Sequence, residues 1–124
     1  MARLSAADLE TLAAAREVDV GWRSRSGEMR YVPIWVVIVD EAVYVRSVRG
    51  TRGRWYREVV RQREGAVRFR RRTWTVRPAR VRSPELVEAV SDALARKYRG
   101  AGGSLRSMLV PEVLGTTLRL EPAV

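Results

Sequence analysis

The 124-residue chain has no cysteine and no histidine, a single lysine (Lys97) and a single phenylalanine (Phe69). Without cysteine there is no disulfide, no thiolate metal ligand and no thiol nucleophile. Without histidine the commonest general base and metal ligand are missing, and every Ser-His-Asp arrangement is excluded. The carboxylates are dispersed and show no metal-ligand spacing, so no metal site is expected. Any chemistry rests on a bound cofactor, or on Tyr, Lys and carboxylates. No apolar run approaches membrane-spanning length, and Asp8 and Glu10 interrupt what would be a signal-peptide core. A cytoplasmic protein with no membrane partner is the expectation.

What is abundant is arginine, and it is clustered. The formal net charge is +10, yet Arg46 to Arg82 holds fourteen Arg against only Glu58 and Glu64, a local net of +12. The remainder of the chain is slightly acidic. A basic segment of this kind fits an anionic ligand or a polyanion.

The chain reads as one domain over residues 1–124, long enough to bury about two thirds of its unfolded surface. Ser5, with Asp8 three residues on and Leu4 and Leu9 at staple positions, starts a helix that runs to about Arg16. Val18, Val20 and Trp22 alternate with Asp19 and Gly21 as a strand, and 23–30 reads as a polar connection. Ile34 to Val39 is apolar on both faces, as in a strand covered on both sides. Asp40-Glu41 turns it into Ala42 to Val48. Trp55 to Arg63 has helical spacing, and Val67 to Val76 forms a hairpin with Arg70-Arg71-Arg72 at its tip. Pro78 leads off that hairpin. Ser83-Pro84-Glu85 opens a long helix closed by Gly100. Gly100 to Gly103 is a linker, and Thr116 to Glu121 a last strand. The order predicts an α+β fold: a small antiparallel split β-barrel of about six strands with three covering helices.

The most informative stretch is Pro33 to Arg57. Its strand pair feeds a loop alternating Arg with Gly and ending in Trp-Tyr. Gly lets backbone approach a ligand, Arg supplies planar donors for phosphate, and the aromatics offer a stacking surface. Backbone N–H groups of the glycine turn and the N-terminus of the Trp55 helix would add positive potential. Arg46, Ser47, Arg49, Gly50, Arg52, Gly53, Trp55 and Tyr56 are the candidate cofactor-binding residues. Trp35 is a candidate pocket wall or dimer contact, because one face of Ile34–Val39 needs a cover and a second copy would supply it. Tyr98, at the end of the long helix, is a weak candidate proton donor and otherwise a core residue. Arg68, Arg70, Arg71, Arg72 and Arg77 read as a solvated outer face. Nucleic-acid binding is their rival use, but Phe69 and Trp74 fall on the opposite face from the arginines, whereas a single-strand binder stacks bases beside them.

Pro33-Ile34-Trp35-Val36-Val37, Tyr44-Val45-Arg46-Ser47 and Gly53-Arg54-Trp55-Tyr56-Arg57 together resemble the split β-barrel proteins related to the deazaflavin-dependent nitroreductases. The likeness is stronger to a bacterial domain family that sits beside them, and it extends over about residues 5 to 121. It implies a dimer-forming barrel that binds flavin mononucleotide, a pyridoxal-type phosphate, haem or a deazaflavin coenzyme, or that has lost its cofactor. Carried over, the phosphate contacts fall on Arg46, Ser47, Arg49 and Arg52, and the helix-opening aromatics are Trp55 and Tyr56. The function expected is an oxidoreductase-like flavin or deazaflavin protein. The alternatives are a cofactor-free barrel enzyme, cyclase- or isomerase-like, acting on a hydrophobic small molecule, and a basic nucleic-acid-binding protein.

Overall fold

In the computed structural model, residues 4–123 are described. Strands β1 (Val18–Arg23), β2 (Met29–Ile34), β3 (Val37–Val39), β4 (Ala42–Val45), β5 (Gly65–Phe69), β6 (Arg72–Arg80) and β7 (Leu118–Pro122) form one sheet in the order β2-β1-β5-β6-β7-β4-β3. Every neighbouring pair is antiparallel. The sheet curls into a half-barrel. Helices α1 (Ala6–Ala14) and α2 (Arg54–Gln62) belong to its inner side, and α3 (Pro84–Lys97) covers the β3–β4 end from the other. Two short helices, α4 (Gly103–Ser107) and α5 (Pro111–Leu114), lead into β7.

Local chemistry explains the ends of the elements. Ser5 Oγ accepts from the Asp8 N–H at 3.0 Å and Asp8 Oδ2 from the Ser5 N–H at 3.4 Å, a reciprocal cap on α1. Ser83 Oγ accepts from the Leu86 N–H, with Pro84 in the first turn of α3. Asp40 and Glu41 take φ of +47° and +64°, the left-handed pair that a two-residue hairpin between β3 and β4 requires.

The predicted strand Ile34–Val39 is broken in two, which raises the strand count to seven. Its first residue, Ile34, finishes β2, whose start at Met29 and Arg30 falls in the predicted connection. Pro33 sits there because β2 is an edge strand and needs no N–H on its open side. Trp35 and Val36 form the break, and β3 then turns onto β4. Strand β6 also runs through Pro78 to Arg80: β5 begins at Gly65, opposite Val76, so Pro78 has no β5 partner and is paired only with Leu120 of β7.

Two apolar clusters meet across the sheet. Val20, Trp22, Val36, Val45, Val59, Val67 and Leu118 pack on the inner side with α1 and α2. Val37 and Tyr44 pack against Val90, Ala93, Leu94 and Tyr98 of the α3 segment. The second apolar face of the 34–39 segment is therefore covered by this chain's own α3. A second copy is not needed to cover that face. Val90 and Leu94 are fully buried in that contact, each contributing about 1.5–3 kcal/mol by area burial.

Candidate functional site

Beyond β4 the chain dives before it loops out. Arg46 and Ser47 are buried, while Val48 and Arg49 are exposed. Ser47 Oγ donates to the Gly50 carbonyl at 2.7 Å, and the Ser47 N–H donates to Thr116 Oγ1 at 3.0 Å. The Gly50 N–H donates to the Ser47 carbonyl and the Gly53 N–H to the Gly50 carbonyl, closing a 3-10 turn over Gly50–Arg52. Gly50 needs its φ of +65° for this. At Gly53 a Cβ would lie 2.3 Å from Ser47 Oγ, so any side chain there would force the hydrogen-bonded Ser47 hydroxyl to move. The main-chain donors of Gly50 and Gly53 are thus spent inside the loop and that of Ser47 on Thr116, rather than presented as an anion nest. The first turn of α2 adds further main-chain N–H groups beside the cleft, since its cap Gly53 brings no side-chain acceptor.

Arg46 is 1% exposed and faces no carboxylate among the described residues. Its Nε donates to Thr117 Oγ1 at 2.8 Å, one terminal nitrogen to the Met108 carbonyl at 3.0 Å and the other to the Val87 carbonyl at 2.8 Å. Burial pushes its pKa down to about 10. This guanidinium ties α3, α4 and the entry of β7 to the end of β4.

The loop forms one wall of a cleft of about 790 Å³. The wall carries Arg46, Ser47, Arg49, Gly53, Arg54 and Trp55. The lining also includes Trp22 of β1, Arg30 to Ile34 of β2, Trp35, the carboxylate of Glu17, and Ser104, Ser107 and Met108 of the α4 segment. Four arginines against one glutamate leave the cleft strongly positive. Arg30, Arg49 and Arg54 have no ion-pair partner among the described residues.

Of the residues expected from sequence, Arg46, Ser47, Arg49, Gly53, Trp55 and Trp35 come together here. Gly50, Arg52 and Tyr56 do not line the cleft; Tyr56 is buried in the inner core. Tyr98 lies behind Trp35, their rings stacked at 4.0 Å between centroids and 3° from parallel. Its hydroxyl bonds the main chain, accepting from the Val36 N–H at 3.1 Å and donating to the Arg16 carbonyl at 2.8 Å. Burial raises the Tyr98 pKa, opposed by the Val36 bond and by Arg16. Sequence reasoning missed Trp22, Arg30 and Tyr31. The alternation that would have revealed β2 is hidden by Pro33 and by the polar run before it.

On the predicted cationic hairpin, Arg68 pairs with Asp19 at 3.2 Å and lies 3.7 Å over the Tyr31 ring, and Arg72 pairs with Asp8. Arg70, Arg71 and Arg77 have no ion-pair partner among the described residues. No helix of the described residues is long and apolar enough to cross a membrane.

Several solved structures share this architecture. The conserved hypothetical protein Rv2991 from Mycobacterium tuberculosis superposes with a TM-score of 0.74 at 12% identity, over 98% of this chain and 82% of that one. HutZ, the heme storage protein from Vibrio cholerae, gives 0.64 at 12% identity, over 99% and 92%. The F420-H2 dependent reductase FDR-A gives 0.62 at 15% identity, over 86% and 94%. At such identities the likeness establishes the fold, an α+β split barrel. No curated protein matches the chain. The family described as "Uncharacterized protein conserved in bacteria (DUF2255)" matches residues 8–120, and the chain belongs to it.

Proposed function

We propose that the cleft binds an anionic cofactor with a planar ring, of flavin or deazaflavin type, and that the protein is oxidoreductase-like. The observation that carries this is the pairing, in one cleft, of arginines lacking ion-pair partners among the described residues with an indole already backed by a second aromatic ring. Arg49 and Arg54, beside the α2 N-terminus, suit a phosphate, and Trp35 suits the ring. Arg46 contributes charge from beneath while its nitrogens bind Thr117, Met108 and Val87. A bound flavin or deazaflavin supplies the hydride-transfer chemistry. The chain's own part is to hold the phosphate and orient the ring, which needs neither histidine nor cysteine. The heme storage and F420-H2 dependent reductase proteins of the same fold make a planar cofactor a reasonable occupant.

The test is tryptophan fluorescence titrated with flavin mononucleotide and with the deazaflavin coenzyme. A ring on Trp35 quenches saturably. No saturable response to either overturns the reading and leaves a cofactor-free pocket as its replacement.

A further inference from the structure

Between β2 and β3 the sheet pairing lapses at Trp35 and Val36, and a buried main chain without strand partners must find other ones. Two side chains from the end of α3 supply them. Tyr98 Oη accepts from the Val36 N–H at 3.1 Å, and Lys97 Nζ donates to the Val36 carbonyl at 2.7 Å. Lys97 also reaches the Leu12 carbonyl at 3.3 Å, and Tyr98 the Arg16 carbonyl at 2.8 Å. The break is thereby tied to the end of α1 and to the segment entering β1. The Tyr98 ring then lies flat against Trp35, so the same residue fixes both the backbone and the plane of the indole. Lys97 spends its ammonium on carbonyl oxygens, with no carboxylate partner among the described residues. That is an expensive arrangement for a helix end, which would ordinarily leave its lysine in water.

We propose that Lys97 and Tyr98 are positioning residues of the cleft. By pinning Val36 and backing the Trp35 indole they hold a flat aromatic shelf in place before a ligand arrives, and so favour planar rings. Cofactor type rests on the reading above; the shelf itself does not. A ring that meets an already ordered indole avoids the ordering cost of a mobile one.

Tyr98→Phe keeps the stack and loses the hydroxyl, whereas Lys97→Met keeps the apolar stem and loses the ammonium. The two variants, Val76→Ala as a destabilised control in the inner core, and wild type are each compared with the same protein carrying Trp35→Phe. The difference gives the fluorescence anisotropy of Trp35 without ligand. The expected result is lower Trp35 anisotropy in both variants and none of that loss in Val76→Ala. Flavin mononucleotide affinity falls several-fold to about tenfold in both variants, and not in the control. Unchanged anisotropy in both variants, or wild-type affinity in both, overturns the proposal. If wild type itself ignores flavin mononucleotide, the cofactor reading fails alone, and the anisotropy comparison decides the positioning role.

Discussion

Arg46 is the residue whose surroundings most constrain what a mutation there can mean. Three neutral oxygens on three different segments accept from it, and truncation removes that shared donor, although Thr117 Oγ1 keeps its own bond to the Leu114 carbonyl. A bond to a charged donor is worth about 1.5–3 kcal/mol, so Arg46→Ala is expected to lower unfolding free energy by roughly 3 kcal/mol or more in urea denaturation. Arg46→Lys rescues little, because one ammonium cannot span three acceptors on different elements. The exposed Arg49 behaves differently: Arg49→Ala leaves the midpoint unchanged and weakens flavin mononucleotide binding about tenfold, the worth of one charge-assisted bond. A loss of stability at Arg49, or none at Arg46, would reverse these assignments. Gly53 is a second constrained position. Gly53→Ala drives its Cβ into Ser47 Oγ and is expected to cost about 1–3 kcal/mol. Adding Ser47→Ala removes the clashing atom, so a double-mutant cycle should show positive coupling rather than additivity.

At the scale of elements, the buried end of α3 gives a pH signature with a definite sign. Burial lowers the Lys97 pKa from the usual 10.5 to about 8. Between those values the unfolded chain binds more protons at this site than the folded one, so its contribution to stability rises with pH. Below about pH 8 both states are protonated and the full cost of the buried charge is present. The difference in unfolding free energy between wild type and Lys97→Met should therefore shift toward wild type as pH climbs from about 8 to 10.5. A difference flat across that window would mean the ammonium is solvated in the folded protein. Elements also show how far the sequence could be read. Helices α1 and α3 and the β5–β6 hairpin announce themselves, through Ser5 with Asp8, through Ser83-Pro84-Glu85, and through Val67 and Phe69 alternating with arginine. The break at Trp35-Val36 leaves no such mark, because its partners are Lys97 and Tyr98, about sixty residues away. Neither Arg30 nor Tyr31 could be placed in the cleft from sequence, since that depends on β2 pairing with β1 in a polar stretch. Arg46 and Arg49 look alike in the Arg-Gly run; only the fold turns one inward and the other out.

For the whole molecule the question is which part of ligand binding the net charge of +10 governs. Arg30, Arg49 and Arg54 around the cleft are exposed, so their attraction for a phosphate is screened by salt. Stacking on Trp35 is an apolar contact that salt barely touches. The two contributions separate by comparing flavin mononucleotide with riboflavin, which carries the same ring and no phosphate. Flavin mononucleotide should bind more tightly at low salt and lose that advantage as salt rises, while riboflavin affinity stays nearly constant. The variant Arg54→Ala should start with a smaller advantage and a shallower slope. A polyanion held by the arginines of the 46–82 segment would show a far steeper decline, in proportion to the phosphates neutralised. Isothermal titration of both flavins at low and high salt decides among these outcomes. Equal affinities at low salt would remove the cleft arginines from the site, and a steep slope with a single-stranded oligonucleotide beside weak flavin binding would assign the positive surface to nucleic acid instead.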